Sequence, residues 1–279
     1  MCMSLNSSLI SDLVITLIGS FAGVYLAIVT SRRQEIRNNK DLLIHFSGIL
    51  DDIVTSSRKQ IKNVNDLSTR LKEKPLDFHL IGMIATLDFE RVKSVDSNIL
   101  YKTYNHYYRK SLDEFKKTFA YIDYLGIAIK DFFSRNEKHI NFTHNDQIFV
   151  RDQIENLIYK IGMYVTDIKQ SDSNYGSNPD YLFLAPFTDK LSEIARTSNN
   201  DLSIYESEIL TPLNNTILHE LNNREVREEL FRIVKQSKNR LDSIRYNSIE
   251  FANSLIQDFD ILEKAIKHLE NISAKIKKT

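Results

Sequence analysis

The feature that most constrains this chain is a stretch of more than 45 residues, ending near the C-terminus, that contains neither glycine nor proline. Eleven of its fourteen heptad positions are apolar, a spacing typical of a helix that buries one continuous seam. A helix of this length is about 70 Å long and needs a partner along the seam. The positions are Leu230, Val234, Ser237, Leu241, Ile244, Ser248, Phe251, Leu255, Asp258, Leu262, Ala265, Leu269, Ile272 and Ile276.

A second seam of similar length lies near the N-terminal end. Eight of its eleven heptad positions are apolar, and no proline interrupts the helical pattern before Pro75. We therefore predict a stalk helix over 31–73 that pairs with the C-terminal helix. The positions are Ile36, Asn39, Leu43, Phe46, Leu50, Ile53, Ser57, Gln60, Val64, Leu67 and Leu71.

The middle of the chain predicts further helices over 94–170. A Ser or Asp cap at 94–96 precedes an aromatic stripe, and a third helix covers 145–170. Segment 171–187 holds two of the four prolines and predicts a long loop, with short helices at 189–197 and 212–222 after it. The two stripes are Tyr101, Tyr104, Tyr108, Leu112, Phe115, Phe119, Ile122, Ile129 and Phe133, then Ile148, Ile154, Leu157, Ile158, Ile161, Val165 and Ile168.

Composition supports a fold made of helices alone. Seven glycines and four prolines in 279 residues are too few for the turns of a sheet protein. We predict an all-α fold in which 31–279 form one cytoplasmic bundle of long antiparallel helices, with 212–278 as the C-terminal helices. With 37 basic and 37 acidic residues, the chain shows no bulk attraction to nucleic acid. The single Cys2 excludes an internal disulfide framework.

A transmembrane helix is predicted over 9–30. There is no charged residue from Leu13 to Thr30, and the apolar character extends from Leu9 to Val29 with Asp12 as its one interruption. A helix of that length spans about 31 Å, which matches a hydrocarbon core of about 30 Å. The alternatives are a buried core helix and a cleaved signal peptide, although a signal peptide begins with basic residues that this chain lacks there.

The residues after the predicted span set its orientation. Arg32, Arg33 and Arg37 follow it closely, and the positive-inside rule places such residues in the cytoplasm. We therefore expect a single-pass protein of the bacterial inner membrane with a short external N-terminus, 1–8, and a cytoplasmic body.

Small residues recur within the predicted span. Gly19, Gly23 and Ala27 are spaced by four and fall on one helix face. Small side chains let two helix backbones approach closely in lipid, where association depends on packing. This face predicts a homo-oligomer.

Metal and catalytic chemistry have few candidate residues. His139, His144 and Asp146 are close enough in sequence to be Zn²⁺ or Mn²⁺ ligands, yet the segment 137–146 also fits an exposed helix–helix connection. Arg135 and His139 are separated by three residues, fewer than in the motif of the HEPN ribonucleases. Phosphate-loop, nucleophile-elbow and HExxH patterns are missing from the sequence. We predict neither catalytic residues nor a cofactor.

The segment YKTYNHYYRK, residues 101–110, mixes aromatic and basic side chains. Such a mixture suits the stacking of nucleotides beside cations. Because Tyr101, Tyr104 and Tyr108 also belong to the inward stripe, core packing is the favoured interpretation.

The span LIGSFAGVYLAIVTSRRQEIRNN, followed by a long helical region, resembles the single-pass membrane proteins of bacterial phage-defence and abortive-infection loci. The resemblance covers the layout of the chain and carries no functional residue across. It implies a membrane effector or sensor that works with a cytoplasmic protein partner encoded nearby.

Two functions follow as hypotheses. The first is a membrane-anchored oligomeric effector or sensor that acts through protein contacts or membrane perturbation. The second is a passive adaptor that tethers a partner to the inner membrane. A soluble enzyme is a third option, which would need a polar constellation inside the bundle.

Overall fold

The computed structural model describes residues 4–82, 87–108, 112–197 and 201–278, with side chains described from Thr16 onward except at Leu87 and Ala195. Helix accounts for 91% of the structure, and those ranges contain no strand, which confirms the all-α class. The helices in chain order are α1 (Ser4–Glu73), α2 (Leu87–Lys93), α3 (Ser97–Tyr108), α4 (Leu112–Ser171), α5 (Pro179–Thr197), α6 (Leu202–Tyr205), α7 (Thr211–Glu220), α8 (Arg224–Ile256) and α9 (Phe259–Lys277).

The helical bundle predicted for 31–279 divides into two compact units. The first comprises Met1–Arg58, Ala85–Ile127 and Ile261–Thr279, and the second comprises Lys59–Ile84 and Ala128–Asp260. The long helices α1 and α4 each contribute residues to both units. A single seam along α1 therefore serves two separate cores.

In the first unit, α1 packs antiparallel to α9. Arg58 donates two hydrogen bonds to the Glu270 carboxylate, at 2.8 and 3.0 Å. Nearer the start of α1, the Ser273 hydroxyl donates to Asp51 Oδ1 at 2.6 Å, and Lys277 forms an ion pair with the same carboxylate. Residue numbers rise along one helix as they fall along the other, as the paired seams predict.

Both seams are buried over most of their length. In the stalk helix, burial begins at Leu43, whereas Ile36 is 57% exposed and Asn39 is half-buried. In the C-terminal stretch, Phe251 and Asp258 are the two of the fourteen positions that are only half-buried. Ile148, predicted to face inward, is 42% exposed.

The polar segment 137–146 is not a helix connection. It lies inside α4, which runs unbroken from Leu112 to Ser171. No glycine or proline occurs between 127 and 161 to end the helix. The aromatic stripe is shared between α3, which ends at Tyr108, and α4, which begins at Leu112, and residues 109–111 fall outside the described residues.

The predicted loop 171–187 is also wrong, because most of it is helical. Pro179 begins α5, a position where the missing N–H costs nothing. The Asn178 side chain caps this helix by accepting from the N–H groups of Asp180 at 3.0 Å and Tyr181 at 3.2 Å. Pro186 lies within α5 on its exposed side. Because proline has no N–H, the carbonyl of Leu182, four residues earlier, lacks its helical donor, and Leu182 is exposed to solvent as well.

The C-terminal stretch is not one continuous helix. A turn at Gln257 and Asp258 separates α8 from α9. Asp258 is the polar position of the seam in this region and remains half-buried, so the local gain from packing is small.

A buried carboxylate joins α5 to the connection between α7 and α8 in the second unit. Asp180 Oδ1 accepts from the backbone N–H of Asn222 at 2.7 Å and from its side-chain amide at 3.1 Å. Asp180 Oδ2 accepts from the Asn223 N–H at 3.0 Å and the Tyr164 hydroxyl at 2.8 Å. Burial raises the pKa of Asp180, but these hydrogen bonds outweigh it and hold the pKa below its usual value.

We predict that Asp180→Asn destabilises the protein by about 2–3 kcal/mol, because the new amide nitrogen faces N–H or O–H donors. Tyr164→Phe is the matched control, and its loss of one hydrogen bond should cost about 1 kcal/mol. Denaturant unfolding of the purified variants, followed by circular dichroism, measures both changes. Equal losses for the two variants would show that the carboxylate does not organise this connection.

Candidate membrane-facing site

The N-terminal part of α1 carries large apolar side chains that no other described residue covers. From Thr16 to Asn38 every residue is exposed except the half-buried Val29. The large apolar members are 48% to 71% exposed. They are Leu17, Ile18, Phe21, Val24, Tyr25, Leu26 and Ile28.

These side chains are arranged by size around the helix. At 3.6 residues per turn, the large ones occupy one broad side of α1, and Gly19, Gly23 and Ala27 lie on the other. A Cβ atom built on Gly19 or Gly23 would meet no atom within 4 Å. The small-residue face predicted from the sequence is therefore open to a second helix.

Two hydroxyl groups of this segment, those of Ser20 and Thr30, bond within their own helix. Ser20 Oγ donates to the Thr16 carbonyl at 2.9 Å, and Thr30 Oγ1 donates to the Leu26 carbonyl at 2.7 Å. This i−4 bonding satisfies a hydroxyl without water. Backbone N–H and C=O groups of a continuous helix are likewise paired internally, as a hydrocarbon environment requires.

A basic collar follows the apolar segment on the same helix. The side chains of Arg32, Arg33 and Arg37 are all exposed. Among the described residues of α1, the first fully buried side chain comes six residues further on, at Leu43, which is 2% exposed. The collar thus separates the uncovered apolar segment from the packed one.

A search of the described residues finds no helix long and apolar enough to cross a membrane. The predicted span, 9–30, lies within α1, but the side chains of 9–15 fall outside the described residues, as does the conformation of 1–3.

The three candidate metal ligands do not converge. His139 stacks on Phe251 with ring centroids 4.4 Å apart, and His144 lies edge-on to Phe78 at 6.5 Å. Asp146 Oδ1 pairs instead with Arg240 at 3.1 Å. In the described parts of the chain, no three His, Cys, Asp or Glu side chains are grouped as metal ligands. The metal hypothesis is therefore not supported.

Among the tyrosines of 101–110, Tyr104 belongs to the core of the first unit, whereas Tyr101, Tyr107 and Tyr108 are half-buried. Tyr104 is buried, with its ring centroid 4.8 Å from that of Tyr108 and 5.9 Å from that of Phe115. Its hydroxyl donates to Glu114 at 3.3 Å. The contacts of Tyr104 fit core packing, while Arg109 and Lys110 lie outside the described residues.

One feature that the sequence did not predict lies beside the basic collar. A cleft of about 610 Å³ separates α1 from α3 and is lined by Arg32, Glu35, Ile36, Asn39, Ile99, Lys102, Thr103 and His106. Lys102 and His106 are four residues apart on one face of α3. That spacing is visible in the sequence, but the position of these two side chains opposite Arg32 depends on how α3 packs.

Comparisons with protein-family models, curated proteins and solved structures find no match to this chain.

The environment of His139 predicts an acid-sensitive stability. Burial, and then the charge of His79, lower the pKa of His139 to about 4. The unfolded chain binds this proton near pH 6.5, so the contribution to stability is complete above that pH and is lost as the pH falls toward 4. Because the side chain is partly exposed, the loss should be about 1–2 kcal/mol.

His139→Phe should keep the stacking on Phe251 and remove this acid-dependent loss. Thermal unfolding of both proteins between pH 7.5 and pH 4.5 measures the difference. Parallel pH profiles for the two proteins would show that His139 titrates normally.

Proposed function

We propose that the chain is a membrane-anchored helical protein, held in a bilayer by 9–30, with 1–8 outside the membrane and 31–279 in the cytoplasm. It acts through protein contacts or membrane perturbation rather than catalysis. The observation that carries this proposal is the uncovered apolar surface of α1 between Leu17 and Ile28. The basic collar that follows supports the orientation.

The energetics favour a bilayer over water for this segment. Burying a large apolar side chain is worth about 1.5–3 kcal/mol, so the seven exposed ones together favour a hydrocarbon environment by about 10 kcal/mol or more. The Ser20 and Thr30 hydroxyls are already bonded within the helix, so transfer to lipid does not leave them unsatisfied. Lipid is the occupant that can cover this broad apolar side of the helix.

We predict that Phe21→Lys with Leu26→Lys releases the chain from membranes. Each lysine at the centre of a span costs about 2.5–3.5 kcal/mol. Expression in bacteria and alkaline carbonate extraction measure the fraction retained in the membrane. Ile44→Lys is the control, because Ile44 is 52% exposed on the same helix but lies beyond the collar.

Equal retention of both variants would show that this segment is not the anchor. A phosphatase fused after Thr279 then tests the orientation. We expect no activity, since phosphatase needs export, and activity would reverse the proposed topology.

Self-association through Gly19, Gly23 and Ala27 is the second part of the proposal. Gly23→Ile places a branched side chain where two helix backbones would touch. Ala22→Ile is the control, because it adds similar bulk about 100° away around the helix. We expect the purified Gly23→Ile protein to be monomeric in detergent by light scattering, and the control to keep the wild-type mass.

The same variants separate an effector or sensor from a passive adaptor. An effector that depends on oligomers loses activity in Gly23→Ile, whereas an adaptor keeps its partner at the membrane. The layout resemblance extends the proposal to bacterial phage defence, which phage challenge of expressing cells tests. Wild-type mass for Gly23→Ile would remove the oligomer from the proposal.

A further inference from the structure

We infer that the cleft between α1 and α3 binds the phosphodiester headgroup of a membrane phospholipid. This inference rests on the proposed membrane anchor. The cleft is lined by two basic side chains, Arg32 and Lys102, by His106, and by one carboxylate, Glu35. Two apolar side chains, Ile36 and Ile99, complete its walls.

The position of the cleft along α1 matches the depth of lipid headgroups. The helix rises 1.5 Å per residue, so Arg32 lies about 3 Å and Glu35 about 8 Å beyond Thr30, the end of the proposed span. The headgroup layer is about 5–8 Å thick on each side of the hydrocarbon core. The charged lining of the cleft therefore begins inside that layer.

The basic side chains are available for a ligand. Neither Arg32 nor Lys102 forms an ion pair with another residue in the part of the chain that the structure describes. A guanidinium can bind two phosphate oxygens in parallel, and an ammonium supplies a point charge beside it. Together they suit one phosphodiester.

Glu35 adds selectivity for what lies beyond the phosphate. Its carboxylate can accept hydrogen bonds from the hydroxyls of a glycerol headgroup or the ammonium of an ethanolamine headgroup. Choline has no N–H or O–H to donate. The lining therefore favours phosphatidylglycerol and phosphatidylethanolamine over phosphatidylcholine.

The walls are held together before any ligand arrives. Buried Thr103 donates to Asn39 Oδ1 at 3.4 Å, and the Tyr107 hydroxyl donates to the Ile36 carbonyl at 3.5 Å. Both contacts join α3 to α1 at the cleft. A site on two packed helices needs little ordering on binding.

Titration of the full-length protein in neutral detergent with short-chain phospholipids tests the inference. Isothermal calorimetry with phosphatidylglycerol, phosphatidylethanolamine, phosphatidylcholine and inorganic phosphate gives the affinity for each. We expect the first two lipids to bind about tenfold more tightly than phosphatidylcholine. Arg32→Gln with Lys102→Gln should weaken their binding at least about tenfold.

Arg33→Gln with Lys116→Gln is the matched control. Arg33 belongs to the same collar and Lys116 is exposed on α4, and neither lines the cleft. This variant removes the same charge and should change the affinity less than about twofold. Equal weakening in both variants would overturn the cleft in favour of general surface charge.

Two further outcomes would overturn the inference: equal affinity for all three lipids, or inorganic phosphate binding as tightly as the headgroups. The second would indicate a soluble phosphate ligand. Carbonate extraction of the same variants keeps the two proposals apart. A wild-type protein that stays in the membrane but shows no headgroup selectivity rejects the cleft alone, whereas release of the wild-type protein from the membrane rejects the anchor.

Discussion

Burial of the α1 seam from Leu43 onward is the constraint on which the rest of the structure depends. Leu43 is 2% exposed, whereas Phe21, on the same continuous helix, is 71% exposed. A long helix is stable in water mainly where its apolar stripe is packed. The packed part of α1 has α9 as a partner in the first unit. Its N-terminal part has no described protein partner, and that contrast is what points to lipid.

Two buried polar side chains, Asp180 and Gln60, differ in whether they have hydrogen-bond partners. Asp180 accepts four hydrogen bonds and thereby joins α5 to the connection between α7 and α8. Gln60, in the seam of α1, is fully buried, and neither atom of its amide has a partner among the described residues. A buried amide of this kind costs stability, but a polar group in a seam also disfavours other helix registers. The two sites show why polar residues in an apolar pattern cannot all be assigned to the surface.

The sequence predicted the seams well because heptad spacing reports burial directly. It failed where a local signal competes with tertiary packing. Polar residues near His139 fit an exposed connection and a helix surface equally, and a contact such as Asp146 with Arg240 is visible only in the fold. The prolines of 171–187 predict a loop, yet Pro179 lies at the first position of α5, where proline is well tolerated. The cleft required the packing of α3 on α1, which no local pattern encodes.

The arrangement of faces around α1 makes the two membrane proposals compatible. At 3.6 residues per turn, the cleft residues Arg32, Glu35 and Asn39 lie on the same side as the buried seam that begins at Leu43. Gly19, Gly23 and Ala27 lie about 180° around the helix from them. A second copy docked on the small-residue face would therefore leave each cleft facing outward. Because α1 is unbroken from the apolar segment to its packed part, a change of tilt at either end would be carried along one hydrogen-bonded helix, which would couple the proposed lipid binding to the folded body.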